Sequence, residues 1–174
     1  MKAKSPKESL TVTTKIVLPN DTNPHGNLFG GQLLGWMDVT SAISAQRHSR
    51  RVVVTASVNN VSFGSPIKES DVVTLEAKVS RAFTSSMEVF IDVFIENQVS
   101  GVRTKINEAI YTFVAVDQNG GPISVPKIQP ETEEEKDRYE GALRRKQLSL
   151  ILAGKMNPEE ATELKRLFLP EEEV

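Results

Sequence analysis

Residues 21–38 read DTNPHGNLFGGQLLGWMD, and how this stretch is parsed decides the fold. Asp21, Asn23, Pro24 and Gly26 are turn formers, Gly30 and Gly31 follow as a pair, and helix formers come after them. A polar loop thus feeds a helix over residues 30–47, with Arg47 and His48 at its end, where positive charge suits the dipole. At about 100° per residue, Leu33, Leu34, Trp36, Met37, Val39 and Ile43 spread around most of its circumference. A helix that is apolar on nearly every side belongs in an interior. Asp38 is the exception. It shares a sector with Leu34, Gly35, Ser41, Ala42 and Ala45, the smallest side chains. That face is expected to pack closely against a sheet or another chain and to desolvate the carboxylate in part.

Working outward, residues 11–18 (TVTTKIVL) are rich in β-branched side chains and read as a first strand. Beyond Arg51 the period changes to two. Residues 52–63, 71–83, 86–97 and 103–116 are four long β-type segments, separated by short breaks such as Gly64-Ser65-Pro66 and Thr84-Ser85. Breaks this short favour antiparallel neighbours, because parallel pairing needs crossovers of a dozen or more residues. In residues 86–97, Met87, Val89, Ile91, Val93 and Ile95 form one apolar face, while Phe90 and Phe94 on the other need cover. The expected fold is α+β, a long antiparallel sheet wrapped around one helix. One helix covers only part of such a sheet, so a second copy of the chain is expected to help.

After Pro130 the pattern becomes helical again. Residues 131–152 carry acids first and Arg144, Arg145 and Lys146 later, and Asn157 with Pro158 starts a short helix running to about Phe168. Leu148, Leu150, Ile151, Leu152, Leu164, Leu167, Phe168 and Leu169 need burial, so this tail is expected to dock on its own domain or on a neighbouring subunit. Residues 1–10 read as a flexible N-terminus, 11–128 as the main domain and 129–174 as a C-terminal helical extension.

With 174 residues, 39% of them hydrophobic and 25% charged, the chain has an ordinary soluble composition and can bury a real core. A net charge of −2 gives no global field for nucleic acid or anionic membrane. The absence of cysteine removes disulfides, thiolate metal sites and cysteine nucleophiles, and His25 and His48 alone leave little for a histidine-based metal site. No apolar run approaches the roughly 20 residues of a membrane span, and MKAKSPKESL lacks the apolar core of a signal peptide. The expected compartment is the cytoplasm.

DTNPHGNLFGGQLLGWMD resembles the D-x-N-x-x-G-x-x-x-G-G…M-D signature of the hotdog-fold acyl-coenzyme A thioesterases. VVTASVNNVSFGSPIKESDVV, SSMEVFIDVFIENQVSGVR and YTFVAVDQNGGPISVPKIQPETEEEKDRYE continue the resemblance in order over roughly residues 11–140. It implies a hotdog domain and hydrolysis of acyl-CoA to free fatty acid and CoA, without a metal and with no cofactor beyond the CoA of the substrate. It also implies a homodimer with shared active sites, often a trimer of dimers, in which Asn23 of one chain meets the partner's Asp38. The helix-start amide that polarises the thioester carbonyl would belong to Gly30 or Gly31. CoA contacts are implied near Arg81, Thr84, Ser85 and Ser86, and Phe63 is either a core residue or lines the acyl or pantetheine channel.

Each of these residues also has a bland reading. Asp38 could be a structural acid held by backbone or hydroxyl donors, and in the catalytic reading it is either a general base or a nucleophile. Asn23 suits a local Asx turn, and Gly26, Gly30 and Gly31 suit turn geometry. No Lys-Ser or Lys-Thr follows the glycines, so the phosphate-loop pattern is absent. An oxyanion site at the helix start retains a physical warrant, since preorganised N–H groups there meet developing negative charge. His48 reads as a helix-end residue, and Arg50, Arg51 and Lys68 are further phosphate candidates. Two rivals remain: a hydroxyacyl-thioester dehydratase, for which His25 would have to act, and a non-catalytic acyl-CoA or nucleotide-binding regulator.

Overall fold

The computed structural model describes residues 1–59, 61 and 63–168. Its chain divides into two compact units, Met1–Gln129 and Pro130–Val174. In the first, five strands form one antiparallel sheet in the order β1-β3-β4-β5-β2: β1 (Thr11–Ile16), β2 (Val52–Asn59), β3 (Val72–Ala82), β4 (Ser86–Glu96) and β5 (Arg103–Val116). The sheet curls around α1 (Gly30–Ser49), which is the hotdog arrangement. Short hairpins force the antiparallel pairing. The Phe83 N–H bonds to the Ser86 carbonyl at 2.8 Å across Thr84-Ser85, and Ser86 then pairs with Val114 of β5.

The core lies between α1 and the sheet. Leu33, Trp36, Met37, Thr40, Ser41, Ser44, Ala45 and His48 are buried on one side of the helix. Met87, Val89, Ile91 and Val93 of β4 are fully buried, as their alternation requires. On the opposite face of β4, Arg103 lies 4.5 Å from the Phe94 ring centroid and Lys105 lies 5.9 Å from that of Phe90, supplying the cover those rings need. Two bonds pin the helix: the Thr40 hydroxyl meets that of Thr13 in β1 at 3.1 Å, and the Tyr111 hydroxyl donates to the Leu34 carbonyl at 3.0 Å.

The expected all-round burial of the helix is half met within one chain. Val39 is 60% exposed and Ile43 38%, and beside them Gly35 is open and Asp38 half-buried. Of the small-residue face, Ser41 and Ala45 are buried, so only its part with Gly35 and Asp38 is left uncovered by its own chain. Edge strand β2 is equally bare, with Val52, Val54 and Val58 exposed.

Three further expectations are corrected. Residues 1–9 are not loose: Pro6–Ser9 form a 3-10 turn started by a capping box between Ser5 and Glu8. The buried Ser9 hydroxyl accepts the Val79 N–H at 2.9 Å, and the Lys4 ammonium donates to the His48 carbonyl at 2.6 Å. His48 is no simple helix-end residue. It is fully buried, with Nε2 2.7 Å from the Pro126 carbonyl. The second strand ends at Asn59 instead of 63, with Asn60 and Ser62 outside the described residues.

In the second unit, α2 (Glu133–Leu152) begins two residues later than expected, because Thr132 caps it by accepting the Glu135 N–H at 3.2 Å. The expected helix from Asn157 is a 3-10 turn (Pro158–Glu160) followed by the short α3 (Thr162–Lys165), and Asn157 makes no side-chain cap. Leu148, Leu152, Leu167 and Phe168 are exposed in the single chain, and Leu169 lies outside the described residues. Among the described residues no helix is long and apolar enough to cross a membrane.

Candidate active site

The loop before α1 is folded by its own polar groups. Asn23 Oδ1 accepts the N–H groups of His25 (2.9 Å) and Asn27 (3.3 Å), an Asx turn that Gly26 completes at φ +70°. The loop is tied to the segment after β2 by the Leu28 N–H, which donates to the Ile67 carbonyl at 2.7 Å. These bonds deliver the chain to Gly30 in a fixed direction. The N-cap is Phe29, whose side chain makes no capping bond. Leu33 is the first residue to donate within the helix, to Phe29, so the amides of Gly30, Gly31 and Gln32 have no intrahelical acceptor. A Ser or Asp cap would have competed for them. Here they stay available to an anion.

Phe63 lies directly against Gly30. A Cβ at Gly30 would meet the ring at 3.2 Å, whereas at Gly31 it would meet nothing within 4 Å. The Phe63 ring separates two cavities. One, of about 360 Å³, includes Asn27, Gly30 and Leu33 in its wall, and the other, of about 460 Å³, is lined by Leu34, Gly35, Asp38, Val58, Val61 and Tyr111. The second is an apolar groove with one carboxylate in it.

Asp38 reaches this groove half-buried, and Thr55 of β2 donates to its Oδ1 at 2.8 Å. Thr55 pairs with the buried Phe113, so it faces the helix, and the register slips immediately after it, between Thr55 and Ser57. Such a bulge re-aims side chains at an edge. Asp38 Oδ2 has no hydrogen-bond partner among the described residues. Tyr111 lies in the same groove. Burial first, and then the Asp38 carboxylate, push its hydroxyl up to about 12, so it stays protonated and donates to Leu34.

Of the residues singled out from sequence, Asp38, Gly30 and Phe63 are thus brought together, and Gly31 stands next to them. Asn23 lines neither cavity of its own chain. Arg81, Thr84, Ser85 and Ser86 also line neither; they sit at the β3–β4 hairpin, with Arg81 5.5 Å from the Phe83 ring centroid. His25 is exposed and has no carboxylate partner among the described residues of its own chain. Thr55 and Tyr111 were not singled out. Both are ordinary β-formers in β-rich segments, and no local signal distinguishes them.

The thioesterase superfamily pattern matches residues 25–102. Over 129 residues the chain is 50% identical to an acyl-CoA thioester hydrolase of Bacillus subtilis, covering 74% of this chain and 75% of that one. The chain belongs to the thioesterase superfamily. Within it, this chain is an acyl-CoA thioester hydrolase. The crystal structure of an apo-hexameric acyl-CoA thioesterase superposes with a TM-score of 0.84 at 40% identity, covering 88% of this chain and 98% of that one. An acyl-CoA hydrolase of Staphylococcus aureus, solved with butyryl-CoA, CoA and CoA disulfide, is 36% identical with a TM-score of 0.81, covering 96% and 99% of the two chains. That enzyme has also been solved with an aspartate, a threonine or an asparagine replaced by alanine.

Proposed function

We propose that this acyl-CoA thioester hydrolase works through Asp38, held by Thr55, together with Asn23 and the free amides at the start of α1. The carrying observation is the Asp38 carboxylate in an apolar groove, with one oxygen bound by the Thr55 hydroxyl and the other open. The three residues replaced in the Staphylococcus aureus enzyme stand fifteen and seventeen positions apart. Those are the intervals separating Asn23, Asp38 and Thr55 here.

In this reading the acyl chain occupies the groove past Phe63, and the thioester oxygen meets the Gly30 and Gly31 N–H groups. Their partial positive charge, aligned with the helix dipole, stabilises the oxyanion as the carbonyl carbon becomes tetrahedral. Asp38 Oδ2 takes the proton of an attacking water, or attacks the carbonyl itself to form an anhydride that water then cleaves. Either route breaks the C–S bond, adds a water oxygen to the acyl carbon and returns a proton to the departing CoA sulfur. In this reading the chemistry needs no metal and no cofactor beyond the substrate's own CoA.

The assembly belongs to the same proposal. Val39 and Ile43 on α1 and the free edge of β2 form an apolar strip that a second copy would cover, bringing its Asn23 loop to this Asp38. Three such dimers would make a hexamer, as in the hexameric relative. Arg81 and the Thr84–Ser86 hairpin would then reach CoA only at another chain's site. The compartment is proposed to be the cytoplasm, which fractionation of cells would check.

The test is release of free thiol from saturated acyl-CoA. Asp38→Ala should lower kcat by about two or more orders of magnitude, the effect of losing a general base, with the fold and oligomer intact. Near-wild-type turnover in that variant would refute the assignment, and a protein that binds acyl-CoA without releasing thiol would be the regulator instead.

A further inference from the structure

Along the inner face of β5, Ala109, Phe113 and Ala115 are apolar and buried, and Tyr111 stands among them at 1% exposed. Its ring stacks on that of Phe113 at a centroid distance of 6.2 Å and lines the Asp38 groove. A phenylalanine would fill the same space. Burying a tyrosine hydroxyl costs stability unless it finds a partner. Here the partner is the Leu34 carbonyl, at 3.0 Å.

That carbonyl belongs to the turn of α1 that carries the acid. By the helical repeat it accepts the N–H of Asp38, four residues on, and its second lone pair takes the Tyr111 hydroxyl. The turn has little packing of its own. Gly35 has no side chain to contribute, Val39 is exposed, and Leu34 and Asp38 are half-buried. β5 also pairs with β2, with Val58 opposite Tyr111 and Thr55 opposite Phe113. One strand pair therefore holds the acid at two points: Thr55 of β2 binds its side-chain oxygen, and Tyr111 of β5 binds its helical turn.

We propose that Tyr111 is a positioning residue for the hydrolysis, fixing residues 34–38 against the sheet so that Asp38 meets the thioester at one distance. The role rests on Asp38 being the reacting acid. The hydroxyl itself does no chemistry on the substrate: it is engaged by Leu34, and burial followed by the Asp38 charge keeps its proton on. Rates are sensitive to such placement, since a displacement of about 1 Å can cost about a hundredfold.

The experiment compares wild type, Tyr111→Phe, Asp38→Ala and the double variant in thiol release from saturated acyl-CoA, with hydrogen exchange of the α1 amides read alongside. Tyr111→Phe keeps the ring and its stacking and removes only the hydroxyl. It should lower kcat about tenfold with KM within about twofold, and by the same factor from about pH 6 to about pH 9. The amides of residues 34–39 should exchange faster than in wild type, while those of residues 44–48 should not. In the Asp38→Ala background the same substitution should cost nothing further, because Tyr111 acts through the acid. An unchanged kcat, a rise in KM alone, or an equal loss in the Asp38→Ala background would overturn the proposal. The two readings fail separately. Near-wild-type turnover in Asp38→Ala sinks the role of Asp38, whereas exchange at residues 34–39 unchanged by Tyr111→Phe sinks the positioning role whatever Asp38 does.

Discussion

Thr55 holds one oxygen of Asp38 and leaves the other to the groove, so the carboxylate has one orientation. A hydrogen bond to a charged group contributes about 1.5–3 kcal/mol. Thr55→Val keeps the branched shape that β2 needs and removes only the donor. It should lower kcat by about tenfold or more with little change in Tm, which thiol-release kinetics and thermal melts would check. His48 carries a separate consequence. Burial holds its imidazole below the ordinary value of 6.5, opposed by the Pro126 carbonyl and the more distant Glu8 and reinforced by Lys4. The unfolded chain therefore binds a proton that the folded chain refuses. Stability is full above about pH 6.5 and declines as the pH falls toward the lowered value. Tm should drop between about pH 7.5 and about pH 5, and His48→Gln, which cannot titrate, should flatten that slope. At this scale Asn23 and Asp38 were legible because each breaks its surroundings, an amide in a glycine loop and an acid in an apolar helix. Thr55 was not, because a threonine in VVVTASVN is what a strand prefers.

Helix α1 shows at the element scale what periodicity can and cannot carry. The 3.6-residue pattern located the helix within two residues of its observed end, yet its buried side includes Thr40, Ser41, Ser44 and His48. The hydroxyls of Ser41 and Ser44 are buried without partners among the described residues, as is His48 Nδ1. A buried hydroxyl left unpaired costs stability, and alanine is the better helix former. Ser41→Ala and Ser44→Ala should each raise stability by about 1 kcal/mol in chemical denaturation, and a loss of similar size would show that these hydroxyls are satisfied in the assembled protein. The N-terminal segment shows the converse. MKAKSPKES is polar enough to read as loose, but its order comes from Ser9 meeting Val79 and Lys4 meeting His48, contacts between residues far apart in sequence. The start of α2 at Glu133 is set by the Thr132 cap, which the run of acids around it masks in the sequence.

For the whole molecule, the five-stranded topology followed from four period-two segments joined by short breaks. What one chain's sequence and structure leave open is a strip of apolar surface on α1 and the bare edge of β2. Asn23 stands away from its own Asp38 groove, lining neither cavity. In the proposed assembly a second copy covers the strip and delivers its loop. Val39→Asp would place a charge on that strip and should dissociate the oligomer with loss of activity, as sedimentation velocity and thiol release would report together.

The most direct measurement of this claim mixes two inactive proteins. After subunit exchange, equal amounts of Asn23→Ala and Asp38→Ala chains should regain about a quarter of wild-type hydrolysis, because half of the dimers then contain one site with both groups intact. No recovery, with exchange confirmed, would contradict a site shared between chains and place Asn23 and Asp38 of one chain together.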